Sequence, residues 1–292
     1  MTVTANPNNN IFKNFSVFQL FKYSVYVLLS MNIYFFFVED YSASSQTFAQ
    51  GVSGLQVIEA FTATIDTAAW VILLLLFELE TYVLDDDKIK GWVKYSINAI
   101  QALCYLVIVS SFYGYITKYN MLHSISPFII DDICSLVGSS FTYVRDLDDY
   151  LPLTKEVCES FANVPLLQIN DTQIIADQLH LTEAHRLSTV EVINSATWLL
   201  VVIILEIEVY LQLKGQLSKR RMFAHKVIKA VLYATLFIAA AYWGVKGGFI
   251  DFWDAFLWLV AFVFIELNIF QWNAEGEEDT AKLTQQTKQA KA

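Results

Sequence analysis

The chain has 292 residues, 55% of them hydrophobic, 15% aromatic and only 16% charged, with a formal net charge of -10. A mean hydropathy of +0.44 excludes an ordinary soluble domain, and the acidic balance argues against a nucleic-acid partner. The composition is that of an all-α membrane protein crossing its bilayer several times.

Residues 1–14 read as a short cytoplasmic segment. The first apolar stretch, Phe15 to Val38, exceeds the ~7 to 15 residues of a signal-peptide core, so it is expected to be retained. Five more follow: Ile65 to Leu84, Trp92 to Tyr115, Ile193 to Leu213, Val227 to Val245 and Phe252 to Phe270. Each is about long enough to cross ~30 Å of hydrocarbon at ~1.5 Å per residue. They are continuously apolar, where barrel strands would alternate. Residues 15–272 therefore predict a six-helix transmembrane domain. The tail, 273–292, is polar, low in aromatics and expected to be disordered.

Basic residues set the orientation. The amino terminus, the loops after the second and fourth spans, and the tail hold Lys13, Lys88, Lys90, Lys214, Lys219, Arg220, Arg221, Lys226, Lys282, Lys288 and Lys291. The other side holds Lys118, Arg145, Lys155, Arg186 and Lys246. The positive-inside rule puts both termini in the cytoplasm of a cell-membrane protein. The basic run from Lys219 to Lys226 then meets the anionic inner leaflet.

The segment 116–192 faces outward in this arrangement and is expected to form a cap, with short helices near Pro127 to Val137 and Asp171 to Leu187 and turns near Pro152 and Pro165. Cys134 and Cys158 lie within it, where the compartment permits a disulfide. Closing that loop stabilises it by roughly 3 kcal/mol on the chain-entropy estimate. Cys104, inside a span, reads as inert packing. Asn170, Asp171 and Thr172 match a glycosylation acceptor, a short pattern that often arises by chance.

One phrase occurs three times: Asp66, Trp70, Glu78; Asn194, Trp198, Glu206; and Asp254, Trp258, Glu266. A second polar residue follows each Glu at plus two: Glu80, Glu208 and Asn268. The odd-numbered spans carry Lys22, Lys94 and Lys229 in matching places. The chain thus predicts three tandem helical hairpins arranged in a pseudo-threefold ring, the second hairpin bearing the cap.

An ionisable residue at membrane depth is a functional-site hypothesis by default. Glu78 lies ~20 Å below one end of its span, at the layer that Lys22 reaches from the other. The same reasoning pairs Lys94 with Glu206, and Lys229 with Glu266. Residues two apart differ by about 200° around a helix, so Glu80, Glu208 and Asn268 face other neighbours. Two uses follow. The Lys–Glu pairs staple the hairpins, or the carboxylates bind a cation or proton in a pathway walled by Ser24, Asn32, Ser96, Asn98, Gln101, Thr235, Asp66, Asn194 and Asp254. The E-x-E pairs offer oxygen ligands, but no embedded histidine joins them, so no metal site and no cofactor are expected.

The bland readings of the remaining phrase residues are local. Trp70, Trp198, Trp253, Trp258 and Trp272 fit interfacial anchors, and Asp66, Asn194 and Asp254 fit outer-end helix caps. His180 and His185, near Asp177 and Glu183, fit a solvated helix better than a metal site, and His123 and His225 stand alone. No P-loop, nucleophile elbow, HExxH, potassium filter or dinucleotide turn is present, so an enzyme is not expected. The sequence therefore points to a channel or transporter for a small cation or proton. The alternative is a non-catalytic membrane subunit whose outward cap docks a membrane or extracytoplasmic protein. The lipid bilayer is a partner under either, and an oligomer is compatible with both.

Overall fold

A computed structural model of the chain describes residues 17–48, 51, 52, 54, 56–80, 90–214 and 219–264, and these residues are mostly helical, at 76% helix. In chain order the helices are α1 Val17–Thr47, α2 Gln56–Ala60, α3 Thr62–Glu78, α4 Trp92–His123, α5 Lys155–Ser160, α6 Gln178–Leu213, α7 Lys219–Lys246 and α8 over 249–264.

Four of these helices carry stretches long and apolar enough to cross a membrane: Phe18–Thr47, Trp92–His123, Gln178–Glu208 and Arg220–Lys246. Their outward faces show large apolar side chains, among them Leu20, Tyr34, Leu103, Leu106, Leu200, Phe237 and Ile238. Contiguous apolar surface of this kind is costly in water and costs nothing against lipid tails. Helices α3 and α8 are the more buried. In α3, Thr67, Ala69, Val71, Leu74, Leu76 and Glu78 are covered, and in α8, Ala255, Leu257, Trp258, Ala261, Phe262 and Phe264. Helix α3 widens into a π turn at Leu79 and Glu80. The expected ends of the second and sixth spans, at Leu84 and Phe270, lie outside the described residues, as do Trp272 and both chain termini.

Helix α1 packs on α3, α4 packs on both α3 and α6, and α6 packs on α7. One bundle core runs from Val25, Tyr26 and Leu29 through Val71 and Leu74 to Trp198, Val201, Leu236, Leu257 and Ala261. The α3–α4 approach depends on Gly114, where an added Cβ would lie 2.4 Å from the Thr62 hydroxyl oxygen.

The segment after α4 departs from an all-helical reading. It forms a five-stranded sheet in the order β1-β4-β5-β2-β3, from β1 Ile125–Phe128, β2 Thr142–Asp146, β3 Asp149–Pro152, β4 Leu166–Ile169 and β5 Ile174–Asp177. All pairings are antiparallel except β2 with β5. Of the short helices expected here, residues 127–137 supply part of β1 and a 3-10 turn at Ile133–Leu136, and 171–187 supply β5 and the start of α6. Proline explains part of the difference. Pro127 and Pro152 sit in the two edge strands, the places in a sheet that tolerate proline, so Pro127 does not begin a helix and Pro152 does not mark only a turn.

The Cys134–Cys158 disulfide is present, with Cα atoms 5.1 Å apart, over a small core of Ile133, Leu153, Phe161, Leu166 and Ile175. A second core fixes the sheet to the helices: Val144, Leu147, Ile169 and Ile174 pack with Leu122 of α4, Leu181, Ala184 and Leu187 of α6, and Trp243 of α7. Asp177 ends β5 and accepts the His180 amide at 2.8 Å, so α6 starts directly from the sheet, well before the expected Ile193.

Candidate functional site

Helices α3, α6 and α8 each bring one tryptophan of the repeated phrase to the same place inside the bundle. The ring centroids of Trp70 and Trp198 are 6.2 Å apart, those of Trp70 and Trp258 also 6.2 Å, and those of Trp198 and Trp258 6.4 Å. All three contacts are tilted or edge-to-face, the geometry that aromatic quadrupoles prefer. The anchoring reading of these residues is thereby corrected. Trp198 and Trp258 are buried, and the triad is held by its own contacts.

On the sheet side of the triad lies a cavity of about 70 Å³ lined by Asp66, Glu191, Asn194, Asp251 and Asp254, with Thr67, Tyr115 and Trp243 among the other walls. Asp66, Asn194 and Asp254 are one turn ahead of the three tryptophans and inside their helices, so they are not helix caps. The indoles of Trp70 and Trp258 face the carboxylates of Asp66 and Asp254, which gives the four-residue spacing a physical cause. The lining also extends the repeat backwards, because Ala63, Glu191 and Asp251 each stand three residues before the Asp or Asn and also border the cavity. Residues at i and i+3 share a helix face, and that spacing was the available signal for Glu191 and Asp251.

The partners of these groups are few. Asp254 Oδ1 accepts from the Asn32 side-chain amide at 2.7 Å, and Asp66 Oδ2 from the Tyr115 hydroxyl at 3.4 Å. Asp66 Oδ1, Asn194 Oδ1, Asn32 Oδ1, Glu191 Oε2 and Trp243 Nε1 are buried and unbonded. Asp66, Asp251 and Asp254 have no ion-pair partner among the described residues. Glu191 Oε1 is bound by Lys118 Nζ at 2.8 Å, and the same ammonium reaches Asp148 in the β2–β3 turn at 3.0 Å. Lys118 thus ties the sheet to α6 at the rim of the cavity, a role that its reading as a topological charge did not suggest.

On the far side of the triad a second cavity, about 240 Å³, is lined by Glu80, Gln101, Tyr105 and Glu206 together with Trp70, Trp258 and Phe262. Gln101 donates to Glu80 Oε2 at 2.7 Å, and the Tyr105 hydroxyl to Glu206 Oε1 at 3.3 Å.

The remaining acids take another role. Glu78 is buried and bound by Lys22 Nζ at 2.5 Å, with the hydroxyls of Tyr23 and Tyr26 at 3.2 and 3.3 Å. Lys229 Nζ lies 3.1 Å from Glu208, the plus-two residue of the preceding repeat. Lys94 is exposed and makes no ion pair with Glu206 among the described residues. Glu266 and Asn268 lie outside the described residues, so the structure leaves the expected Lys229–Glu266 contact unaddressed.

Of the expected wall residues, Asn32 and Gln101 contact the site, whereas Ser24, Ser96 and Asn98 are exposed on outer faces and Thr235 bonds back to Val231. Three of the four histidines are used locally. His180 bonds Asp177, His185 binds the Leu122 carbonyl at 2.7 Å and stacks on His123 at 4.0 Å, and Glu183 pairs with Lys246. Among the described residues, no three His, Cys, Asp or Glu side chains are grouped to hold a metal.

Comparison with known proteins leaves this geometry to speak for itself. No family model, no curated protein and no solved structure matches the chain.

Proposed function

We propose that this chain is a multi-pass membrane protein that conducts or transports a small cation or proton through its own helix bundle. In this reading α1, α3, α4, α6, α7 and α8 are six spans in three tandem hairpins. The disulfide-bonded sheet is an outward cap, and both termini are cytoplasmic in a cell membrane. The protein is not an enzyme. The ion enters the chamber of Asp66, Asp251 and Asp254, passes the constriction of Trp70, Trp198 and Trp258, and leaves through the chamber of Glu80 and Glu206.

One observation carries this reading: Asp66, Asp251 and Asp254 line one chamber with no ion-pair partner among the described residues, while Lys22, Lys229 and Lys118 are committed to Glu78, Glu208 and the Asp148–Glu191 pair. A charge at membrane depth costs ~2.5 to 3.5 kcal/mol on insertion scales. A transient cation or proton offsets that cost where a lysine would offset it permanently. Cation flux in proteoliposomes, compared with an Asp66→Asn, Asp254→Asn variant, tests the proposal.

The Lys22–Glu78 and Lys229–Glu208 contacts favour a second reading in their own right, since acids held by lysines act as staples. Under it the chain is a non-catalytic membrane subunit whose cap docks a partner protein. Copurification of a stoichiometric partner, with no flux from the isolated chain, would support that reading.

A further inference from the structure

The sheet-side chamber joins two kinds of wall that seldom serve the same ligand. One is polar, three unbonded acceptors, Asp66 Oδ1, Asn194 Oδ1 and Glu191 Oε2, against a single unbonded donor, Trp243 Nε1. Glu191 is only 8% exposed, and its other oxygen is already held by Lys118, so Oε2 is a buried unbonded acceptor on a residue that lines the cavity. Each such atom asks for an N–H or O–H donor. The other wall is aromatic: Trp70, Trp198 and Trp258 line the same chamber and offer apolar ring surface to an alkyl group.

An alkali cation matches the first wall and is poorly served by the second, because its lost hydration shell must be replaced by oxygen on most sides. A quaternary ammonium matches the aromatic wall but brings no donor to the free oxygens. A cation with both N–H groups and an alkyl skin satisfies both. At about 70 Å³ the chamber has room for roughly five water-sized groups, which suits an ion of a few heavy atoms.

We infer that the chamber selects a small protonated alkylamine, of methylammonium to dimethylammonium size, over alkali cations. The inference rests on the cation reading given above and names its substrate class. The N–H groups face Asp66, Asn194 and Glu191, the methyl groups lie on the indoles, and the positive charge compensates Asp66 and Asp254.

Isothermal titration of the full chain in detergent, with chlorides of methylammonium, dimethylammonium, tetramethylammonium, potassium and sodium, tests this directly and requires no flux. The expected result is that methylammonium and dimethylammonium bind about tenfold tighter than potassium or sodium, with tetramethylammonium weaker than dimethylammonium. Trp258→Phe should narrow the preference for alkylammonium over potassium. Potassium or sodium binding as tightly as the alkylamines would overturn the assignment and leave the cation reading standing. Tetramethylammonium binding tightest would overturn it as well, because the free oxygens would then play no part. Wild-type protein that binds none of the five would overturn both this inference and the cation reading. The wild-type series decides among these outcomes even if the variant fails to fold.

Discussion

Trp70 and Trp258 stand 6.2 Å apart and each borders both chambers, one acidic and beside the sheet, the other containing Glu80 and Glu206. With Phe262, which also borders both, their contact forms the partition between the two spaces. Removing one ring should join them. Trp258→Ala is expected to raise cation leak through reconstituted protein and to admit cations that the wild type rejects. It should also cost about 3 to 5 kcal/mol of stability, as large-to-small core changes do. Flux of a graded series of organic cations measures the first effect, and thermal unfolding in detergent the second. Unchanged size selectivity in folded protein would show that the triad is not the constriction.

The Lys22–Glu78 pair, at 2.5 Å and nearly fully buried, is predicted to serve stability. Lys22→Met or Glu78→Gln alone should destabilise the protein by about 3 to 5 kcal/mol, because each leaves an uncompensated polar group. The double variant Lys22→Met, Glu78→Leu should recover most of that loss. Unfolding midpoints of the three variants give the comparison. A fully stable single variant would remove the staple from the account.

Helices α3 and α4 approach closely at Gly114. The Thr62 hydroxyl there is fixed by bonds to the Ile58 and Glu59 carbonyls at 2.8 and 3.1 Å, so it cannot simply turn aside. Gly114→Ala is expected to cost about 1 to 3 kcal/mol through overpacking, and Thr62→Ala should relieve part of it. Thermal unfolding of the single and double variants checks both.

Replacing Cys134 and Cys158 with serine should lower the stability of the sheet by roughly 3 kcal/mol on the loop-closure estimate. The helices have cores of their own, so the loss should stay local. Limited proteolysis is expected to cut first between 125 and 177 in the double variant and to spare the bundle. Simultaneous loss of bundle and sheet would contradict that independence.

The recurring Asp or Asn, Trp and Glu could be read from the sequence because their four- and eight-residue spacings persist through three unrelated apolar runs. Which member turns inward could not. Glu78 and Glu80 differ by about 200° around α3. The meeting of Glu78 with Lys22 follows from their shared depth and is present in the structure, but only the fold shows that Glu80 faces a chamber. Asp251 and Glu191 were hidden for a simpler reason. Their counterpart in the first repeat is Ala63, so no charge repeats at that position. The sheet escaped notice because its strands have four or five residues each and carry Pro127 and Pro152 at its edges. At that length alternation is too brief to register, and proline ordinarily argues against a strand. The early start of α6 was concealed by its polar first turns, although Leu181, Ala184 and Leu187 mark the buried face that carries the helix from the sheet into the bundle.

The central claim is that Asp66 and Asp254 act through a passing cation and are not structural charges. The most direct measurement is cation and proton flux in proteoliposomes holding either the wild-type chain or Asp66→Asn, Asp254→Asn, with folding of both checked by unfolding midpoint. Wild-type flux that the folded double variant loses is the predicted result. Equal flux from both, or none from the wild type, would contradict the account.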